Sequence, residues 1–495
     1  MKKILLLIGL VVTASLAVAQ NNGGQSCGTG PVPAAVKEFL KDIDYTAPAT
    51  EDIINVPVTI HIVRPTGGGG SFSAARVLDG ICNVNSRFAS ASMNFFIAGD
   101  IHFIDDSDLL NITNYQMTTN MIIQHNVPRT VNIYYTNLSA MSLCGFAYYP
   151  NSGPGGSNNQ GAVVMSFACS TPTGTTLAHE LGHFFALPHT FDQTSDDPLD
   201  PFDAELVTRS TSEVLPRRNA NCNTAGDYFC DTPSDFIGYR WACPTAAFQT
   251  DLNGDRLRPD SSFYMSYAND ICTNRFSEQQ ITAMRATLAH ANASRGYLLT
   301  PPMPNYAAIT TTPVLISPAN GDSNIAGNFA YFSWSSVPGA TFYNFKIYQF
   351  GGILMDTLIQ DTTHLNLTTN IRANRTLEWE VRAMNPSSLC APVSSRFTFK
   401  TGNYLASSSK QLLDEKLKIY PTVLKPGETI KLEGLEDGPL VVEFRDLSGK
   451  VIQRYETLVA EHYAELSVGY WPAGIYLALI RQDQQLSHRK ILLQP

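Results

Sequence analysis

Past its first nineteen residues, the 495-residue chain has no apolar run approaching the roughly 18 residues a membrane helix needs, which excludes a transmembrane segment from the mature protein. A basic excess is also lacking: 34 Lys and Arg stand against 43 Asp and Glu, for a formal net charge of -9. Nothing resembles a cationic stripe able to displace counterions from phosphates, so nucleic acid is excluded as a partner, whereas a cationic substrate is compatible. Short-period repeats and low-complexity tracts are absent. Histidine is scarce, 10 in all, and the nine cysteines make an odd count.

What is present begins with MKKILLLIGLVVTASLAVAQ: two lysines, a short apolar run and the small-residue site Ala17-Val18-Ala19 before Gln20. Residues 1–19 therefore read as a secretory signal peptide, which predicts an exported product, secreted or attached at the cell surface. Export places the cysteines in an oxidising compartment. Cys222, Cys230, Cys243 and Cys272 crowd together as disulfide candidates, and the sequence leaves their three possible connectivities open. The odd total leaves at least one thiol free or paired to another molecule, and Cys27 in QSCGTG stands apart.

At 54.2 kDa the chain exceeds one compact core. Residues 20–52 are polar and Gly-rich, then briefly helical in PAAVKEFLKDI, too little to bury a core, and read as an extension or propeptide. Residues 53–300 mix strand patterns (INVPVTIHIV, TVNIYYTNL, GAVVMSF) with an amphipathic helix from 72 running into a strand by 95. That makes an α/β (α+β) unit, followed from 190 to 262 by a long irregular stretch. A Pro/Thr-rich linker over 301–312 leads to 313–402, whose short aromatic and β-branched runs predict a β-sandwich of the fibronectin type III-like kind. A second linker, 403–416, leads to another all-β unit at 417–495. Trp334 and Trp379 in the middle sandwich read as core residues rather than a ligand platform.

Three of the ten histidines, His179, His183 and His189, fall within eleven positions of TTLAHELGHFFALPHTF (175–191). Residues i and i+4 of a helix share one face, so His179 and His183 can reach a single ion. Glu180, offset toward the open side, is suited to take a proton from water. At this chain's histidine frequency, a His-Glu-x-x-His match has a chance probability of roughly one in a hundred, and the third histidine lowers it to about one in several thousand. Three imidazole ligands with a fourth position left to water describe a catalytic zinc site, because structural sites are closed by four protein ligands.

HELGHFFALPHTF, then GDYFCDTP (226–233), then YMSYANDIC with a following RFSEQQ, resembles the pappalysin family of the metzincin zinc metallopeptidases, over about residues 54–300. The resemblance implies a metzincin-type catalytic domain, a mixed sheet with an active-site helix. It places the zinc ligands at His179, His183 and His189, the general base at Glu180 and the methionine turn at Met265. It also implies that Tyr267 approaches the metal or the oxyanion. Asp270 would sit at the floor of the pocket for the residue after the scissile bond, where a carboxylate selects Arg or Lys. Asp227, Asp231 and Thr232 match a calcium-binding region, with a plain solvated acidic loop as the other reading. The DLNGD loop, with Asp251, Asn253 and Asp255, alternates like a calcium loop but lacks the bidentate Glu. Cys27 matches a latency cysteine that fills the open zinc position until the propeptide is cut away, a disulfide being the competing account.

One departure is Ala186, where the clan has glycine in a bend that favours positive φ; a left-handed alanine costs roughly 1–2 kcal/mol there. Pro188 stiffens the same turn. Residues 417–495 resemble the C-terminal sorting domain of the type IX secretion route of the Bacteroidetes group, with Thr422 and Val423 replacing the usual Asn-Pro. That implies the secretion machinery as a partner. The expectation is a secreted zinc-dependent endopeptidase acting on proteins or peptides, made as a latent zymogen. The alternative is a surface adhesion protein with an inactive peptidase-like domain, against which the intact Glu180 speaks.

Overall fold

The computed structural model describes residues 26–46, 52–70, 72–155, 160–192, 205–209, 219–235, 243, 250–289, 294–300, 306–327, 330–360, 362–367, 371–402, 417–446, 450–482 and 485–494. The segments expected to be a signal peptide (1–19) and a second linker (403–416) lie outside these residues. The first unit runs through β1 (Ser26–Cys27), α1 (Ala34–Asp42), β2 (Ile54–Arg64), α2 (Ala74–Arg87), β3 (Met93–Ile97), β4 (His102–Asp105), α3 (Tyr115–His125), β5 (Val131–Thr136), β6 (Leu143–Ala147), β7 (Val163–Ser166), α4 (Thr176–Phe184) and α5 (Glu278–Ala286). None of its helices is long and apolar enough to cross a membrane, nor is any other among the described residues.

The sheet order is β1-β6-β7-β5-β2-β3, with β4 pairing β2 beyond the end of β3. Neighbours run parallel except β6, which is antiparallel to β7. β2 is buried without interruption from Val56 to Val63, as expected of a central parallel strand covered on both faces. The helix predicted from residue 72 is α2, whose N-cap Ser73 accepts the Arg76 N–H. Its Val77, Leu78, Ile81 and Val84 join Val58, Ile60 and Ile133 of the sheet in one core. The stretch from 190 to 262 has no helix or strand among its described residues, only turns and an isolated bridge.

The N-terminal extension, too short to bury a core of its own, packs into the core of the first unit. Val32, Val36 and Leu40 insert into the same core, and β1 extends the sheet beyond β6. The segment has too few apolar residues for a core of its own, so it borrows one.

The middle unit stacks a three-stranded and a five-stranded sheet over a core holding Phe332, Trp334, Phe345 and Trp379. The third unit, 417–495, repeats the three-plus-five arrangement around its own core. The linker expected at 301–312 ends earlier than its composition suggested. Ile309 already packs in the middle core, and its N–H donates to Ser388 Oγ at 3.2 Å.

Nor is the middle sandwich a loosely tethered module. Phe342, Met384 and Leu389 belong to the core of the first unit. Asp79 on α2 is buried against Lys346, Arg382 (2.9 Å) and Asn344 (3.2 Å). Cys82 on α2 is bonded to Cys390, a pairing across 308 positions that spacing could not suggest. The other disulfides are Cys144–Cys169, Cys222–Cys230 and Cys243–Cys272, which selects one of the three open connectivities. Cys27 is free.

Candidate active site

Helix α4 carries the site, and all nine of its residues are buried. Such a helix cannot be argued from amphipathicity; it is held by what surrounds it. Gly182, inside the HELGH string, shows how closely: a Cβ there would lie 2.4 Å from Met265 Sδ. The turn holding Met265, the expected methionine turn, therefore packs directly beneath the helix, and only glycine leaves it room. Met265 itself is fully buried, and its carbonyl accepts the Thr190 N–H at 3.2 Å. Ala186 has φ +76°, the left-handed conformation that the resemblance associates with a glycine at this bend. Leu187 N–H closes onto Gly182 O (2.9 Å) around it, turning the chain so that His189 comes back toward the helix.

The three histidines meet. His183 Nε2 lies 3.1 Å from His179 Nε2 and 3.0 Å from His189 Nε2. His179 Nδ1 donates to Tyr264 O at 2.6 Å and His183 Nδ1 to Leu187 O at 2.7 Å. A carbonyl can only accept, so both protons sit on Nδ1, and the Nε2 lone pairs of these two rings face each other with no proton between them. Burial and the neighbouring imidazoles push His183 and His189 well below the usual histidine range, which keeps them in the neutral, ligating form. Lone pairs crowded in this way repel unless a cation lies among them. The donor set thus fits a metal of the zinc kind.

Glu180 is fully buried beside them. Burial pushes its carboxyl up to about 8, against hydrogen bonds from Cys27 and Thr29 that lower it. Its Oε2 accepts from Thr29 Oγ1 at 3.1 Å and lies 3.5 Å from Cys27 Sγ, while Oε1 has no hydrogen-bond partner among the described residues. The ligand atoms of Cys27, His179, His183 and His189 all lie within 4.8 Å of one another, and no other such His/Cys/Asp/Glu group occurs among the described residues. The Cys27 thiol is pushed well up by burial and then by the Glu180 carboxylate.

Tyr267 places its ring 5.0 Å from that of His189, and its hydroxyl donates to Cys27 O at 3.3 Å. Asp270 is half-buried and accepts from Thr175 Oγ1 (2.7 Å) at the start of α4. Asp227 and Thr232 come together: Thr232 Oγ1 lies 2.9 Å from Asp227 Oδ2, and burial and Glu205 push the Asp227 carboxyl up. Asp231 instead accepts Gln279 N–H at 2.9 Å. In the DLNGD loop, Asp251 accepts the N–H groups of Asn253, Asp255 and Val207 (2.8, 2.9 and 2.8 Å), the role of a turn aspartate.

Sequence reasoning missed several groups at this site. Thr29 sits on the Glu180 carboxylate, and Tyr149 Oη lies 3.2 Å from His183 Nδ1. The carbonyls of Tyr264 and Leu187 orient two of the imidazoles. Glu205, paired to Arg209 at 2.6 Å, stands against Asp227. Thr29, Leu187 and Tyr264 lie inside QSCGTG, HELGHFFALPHTF and YMSYANDIC, but the latter two act through backbone carbonyls that no motif specifies, while Tyr149, Glu205 and Arg209 lie in no motif.

A peptidase M43 family model, described as pregnancy-associated plasma protein-A, matches residues 116–289. An extracellular metalloprotease of Arthroderma benhamiae is 22% identical over 295 residues, 56% of this chain and 93% of that protein. One from Podospora anserina is 24% identical over 325 residues, 58% of this chain and 97% of its own length. Mature mirolysin of Tannerella forsythia, solved in complex with a cleaved peptide, is 22% identical and covers 51% of this chain and 97% of its own, with a TM-score of 0.38. The family match, the relatives and the convergent histidines together support a metalloprotease.

Proposed function

We propose that this chain is a secreted, zinc-dependent endopeptidase of the pappalysin type, made as a latent zymogen. The observation that carries the reading is the meeting of three imidazole Nε2 atoms beside the buried carboxylate of Glu180. His179, His183 and His189 would hold zinc, which when bound supplies Lewis acidity that lowers the pKa of a water and favours attack on a peptide carbonyl. Glu180, with Oε1 unpartnered, is placed to take a proton from the attacking water and return it to the leaving amine. The Tyr267 hydroxyl, now donating to Cys27 O, would donate to the developing oxyanion of a substrate.

Residues 20–52 act as the pro-segment. Ser26–Cys27 pair with β6, Tyr115 Oη donates to Gly28 O at 2.8 Å, and Cys27 reaches the three imidazoles. When that segment leaves, β6 is an open strand edge along which a peptide can add by main-chain hydrogen bonds. Asp270 would favour Arg or Lys after the scissile bond; a peptide-library profile lacking that enrichment rejects the assignment. Asp227, Thr232 and the nearby Glu205 suit calcium, since a divalent cation would relieve the repulsion between two buried carboxylates. Residues 417–495 would serve as a type IX sorting domain. One way for the adhesion alternative to leave the peptidase-like domain inactive is Ala186 spoiling the site; the turn at Ala186 instead brings His189 to the other histidines.

The deciding experiment is hydrolysis of a fluorescent casein by the exported chain, before and after a light proteolytic nick, beside Glu180→Ala. Cleavage that appears on nicking, stops with a chelator and is absent in the variant is the expected result. Equal behaviour of the two proteins with zinc bound returns the adhesion reading.

A further inference from the structure

The last four carbonyls of an α-helix lack intrahelical donors, yet those of α4 all have partners. Phe185 N–H reaches Leu181 O and Gly182 O (3.0 and 3.1 Å), Leu187 N–H reaches Gly182 O (2.9 Å), and Ala186 N–H reaches His183 O (3.0 Å). Phe184 O takes its bond from a side chain 111 positions downstream, Arg295 Nε at 3.0 Å. The same guanidinium donates to Gln160 O (2.8 Å), Tyr297 Oη (3.0 Å) and Tyr148 O (2.8 Å), and stacks 3.6 Å from the centroid of the Phe184 ring.

Arg295 is 0% exposed, and no carboxylate is among its hydrogen-bond partners in the described residues. A cation buried without a counter-ion is costly, and here it is balanced by oxygen dipoles and the negative end of α4. Two of its acceptors bracket the site. Phe184 follows His183, and Tyr148 precedes Tyr149, whose hydroxyl lies 3.2 Å from His183 Nδ1. Arg295 is itself anchored by its N–H to Thr287 O at 2.9 Å, just beyond α5.

We propose that Arg295 is a positioning residue of the active site: its guanidinium braces the end of helix α4 against the segment after β6 and so fixes the imidazole of His183 relative to those of His179 and His189. This rests on the reading of the three histidines as metal ligands. The fork is essential to the role, because a lysine ammonium has neither the planar stack nor the span to serve three backbone carbonyls at once.

The test uses the exported latent chain with Arg295→Lys and Arg295→Met. Zinc affinity is measured by competition with a chelator, ligand geometry by the visible absorption of the cobalt(II)-substituted protein, and stability by thermal melting. Leu78→Ala, in the core away from the site, serves as a destabilised control. Both Arg295 variants are expected to bind zinc about 10- to 100-fold more weakly and to change the cobalt spectrum. The control should melt earlier with affinity and spectrum intact. If Arg295→Met does not fold, Arg295→Lys and Tyr297→Phe, which removes one acceptor, must still weaken zinc in that order. Variants that melt earlier yet keep wild-type zinc affinity and cobalt spectrum overturn the proposal. Failure of the underlying reading shows elsewhere: the wild type takes up no stoichiometric zinc, or His183→Ala binds it equally well.

Discussion

Thr29 offers a sharper test of latency than Cys27, because its contribution can be worked out from the contacts. Its hydroxyl accepts the Ala147 N–H at 2.9 Å and donates to Glu180 Oε2 at 3.1 Å, with Ala147 O at 3.3 Å as the alternative acceptor. Thr29→Val keeps the shape and removes both bonds. A net hydrogen bond is worth about 1 kcal/mol, and leaving the buried Ala147 N–H unpaired costs about 1–3 kcal/mol. The docked N-terminal segment, the proposed pro-segment, is thus expected to lose about 2–3 kcal/mol, which raises the lifted-off population about 30- to 150-fold. The assay is the rate at which dilute trypsin cuts the pro-segment, run where cutting follows the open population, together with casein hydrolysis by the chain before any nick. Both rates should rise by that factor in Thr29→Val and stay at the wild-type level in Thr29→Ser, which retains the hydroxyl. A trypsin rate in Thr29→Val within twofold of wild type refutes the reasoning: the hydroxyl would then hold nothing that cysteine and strand pairing do not already hold.

Asp79→Asn strands Lys346 and Arg382 in the interface between the first two units, and partial exposure of both cations reduces the effect to about 2–3 kcal/mol. With Cys82–Cys390 also removed, calorimetry should resolve the middle sandwich as a separate transition; a single unshifted peak contradicts the interface. His61 is buried against Tyr134 and Asn132, and burial pushes it from 6.5 down to about 4. The unfolded chain binds the extra proton between these values, so its contribution of about 3 kcal/mol is present above pH 6.5 and lost as pH falls to 4. His61→Phe should flatten that part of the stability profile, and an unchanged acid limb counts against it. Gly182→Ala drives a methyl into Met265, so its destabilisation and that of Met265→Ala should fail to add by about 1–2 kcal/mol in a double-mutant cycle; additivity contradicts the packing.

Much of the fold was legible where pattern is local. The helix from residue 72 and the strands in TVNIYYTNL and GAVVMSF fall where their periodicity places them. β1 and β6 were not read, since a two-residue strand has no period and LCGFA has no polar alternation. The depth at which the extension packs was hidden for another reason. Val36 and Leu40 are too few to mark a core, and only the partner surface makes them buried. The same holds for Cys82 and Cys390: each reads as a lone cysteine, and their proximity belongs to the docking of two units.

At the site, the division follows chemistry. His179, Glu180, His183 and His189 are legible because their side chains do what no other residue does, and the i, i+4 spacing states the geometry. Their orientation comes from groups every residue possesses. Tyr264 O and Leu187 O set the tautomers of two imidazoles, and Phe184 O is where Arg295 takes hold of the helix. A carbonyl is carried by all twenty residue types, so the sequence spells the proposed ligands and leaves the proposed brace silent. Ala186 shows the converse. The sequence pointed to a left-handed residue, the strain of roughly 1–2 kcal/mol is accepted at φ +76°, and the Leu187 N–H to Gly182 O bond holds the turn without glycine. A position can therefore lose its consensus residue and keep its conformation when the hydrogen bonds around it supply more than the strain removes.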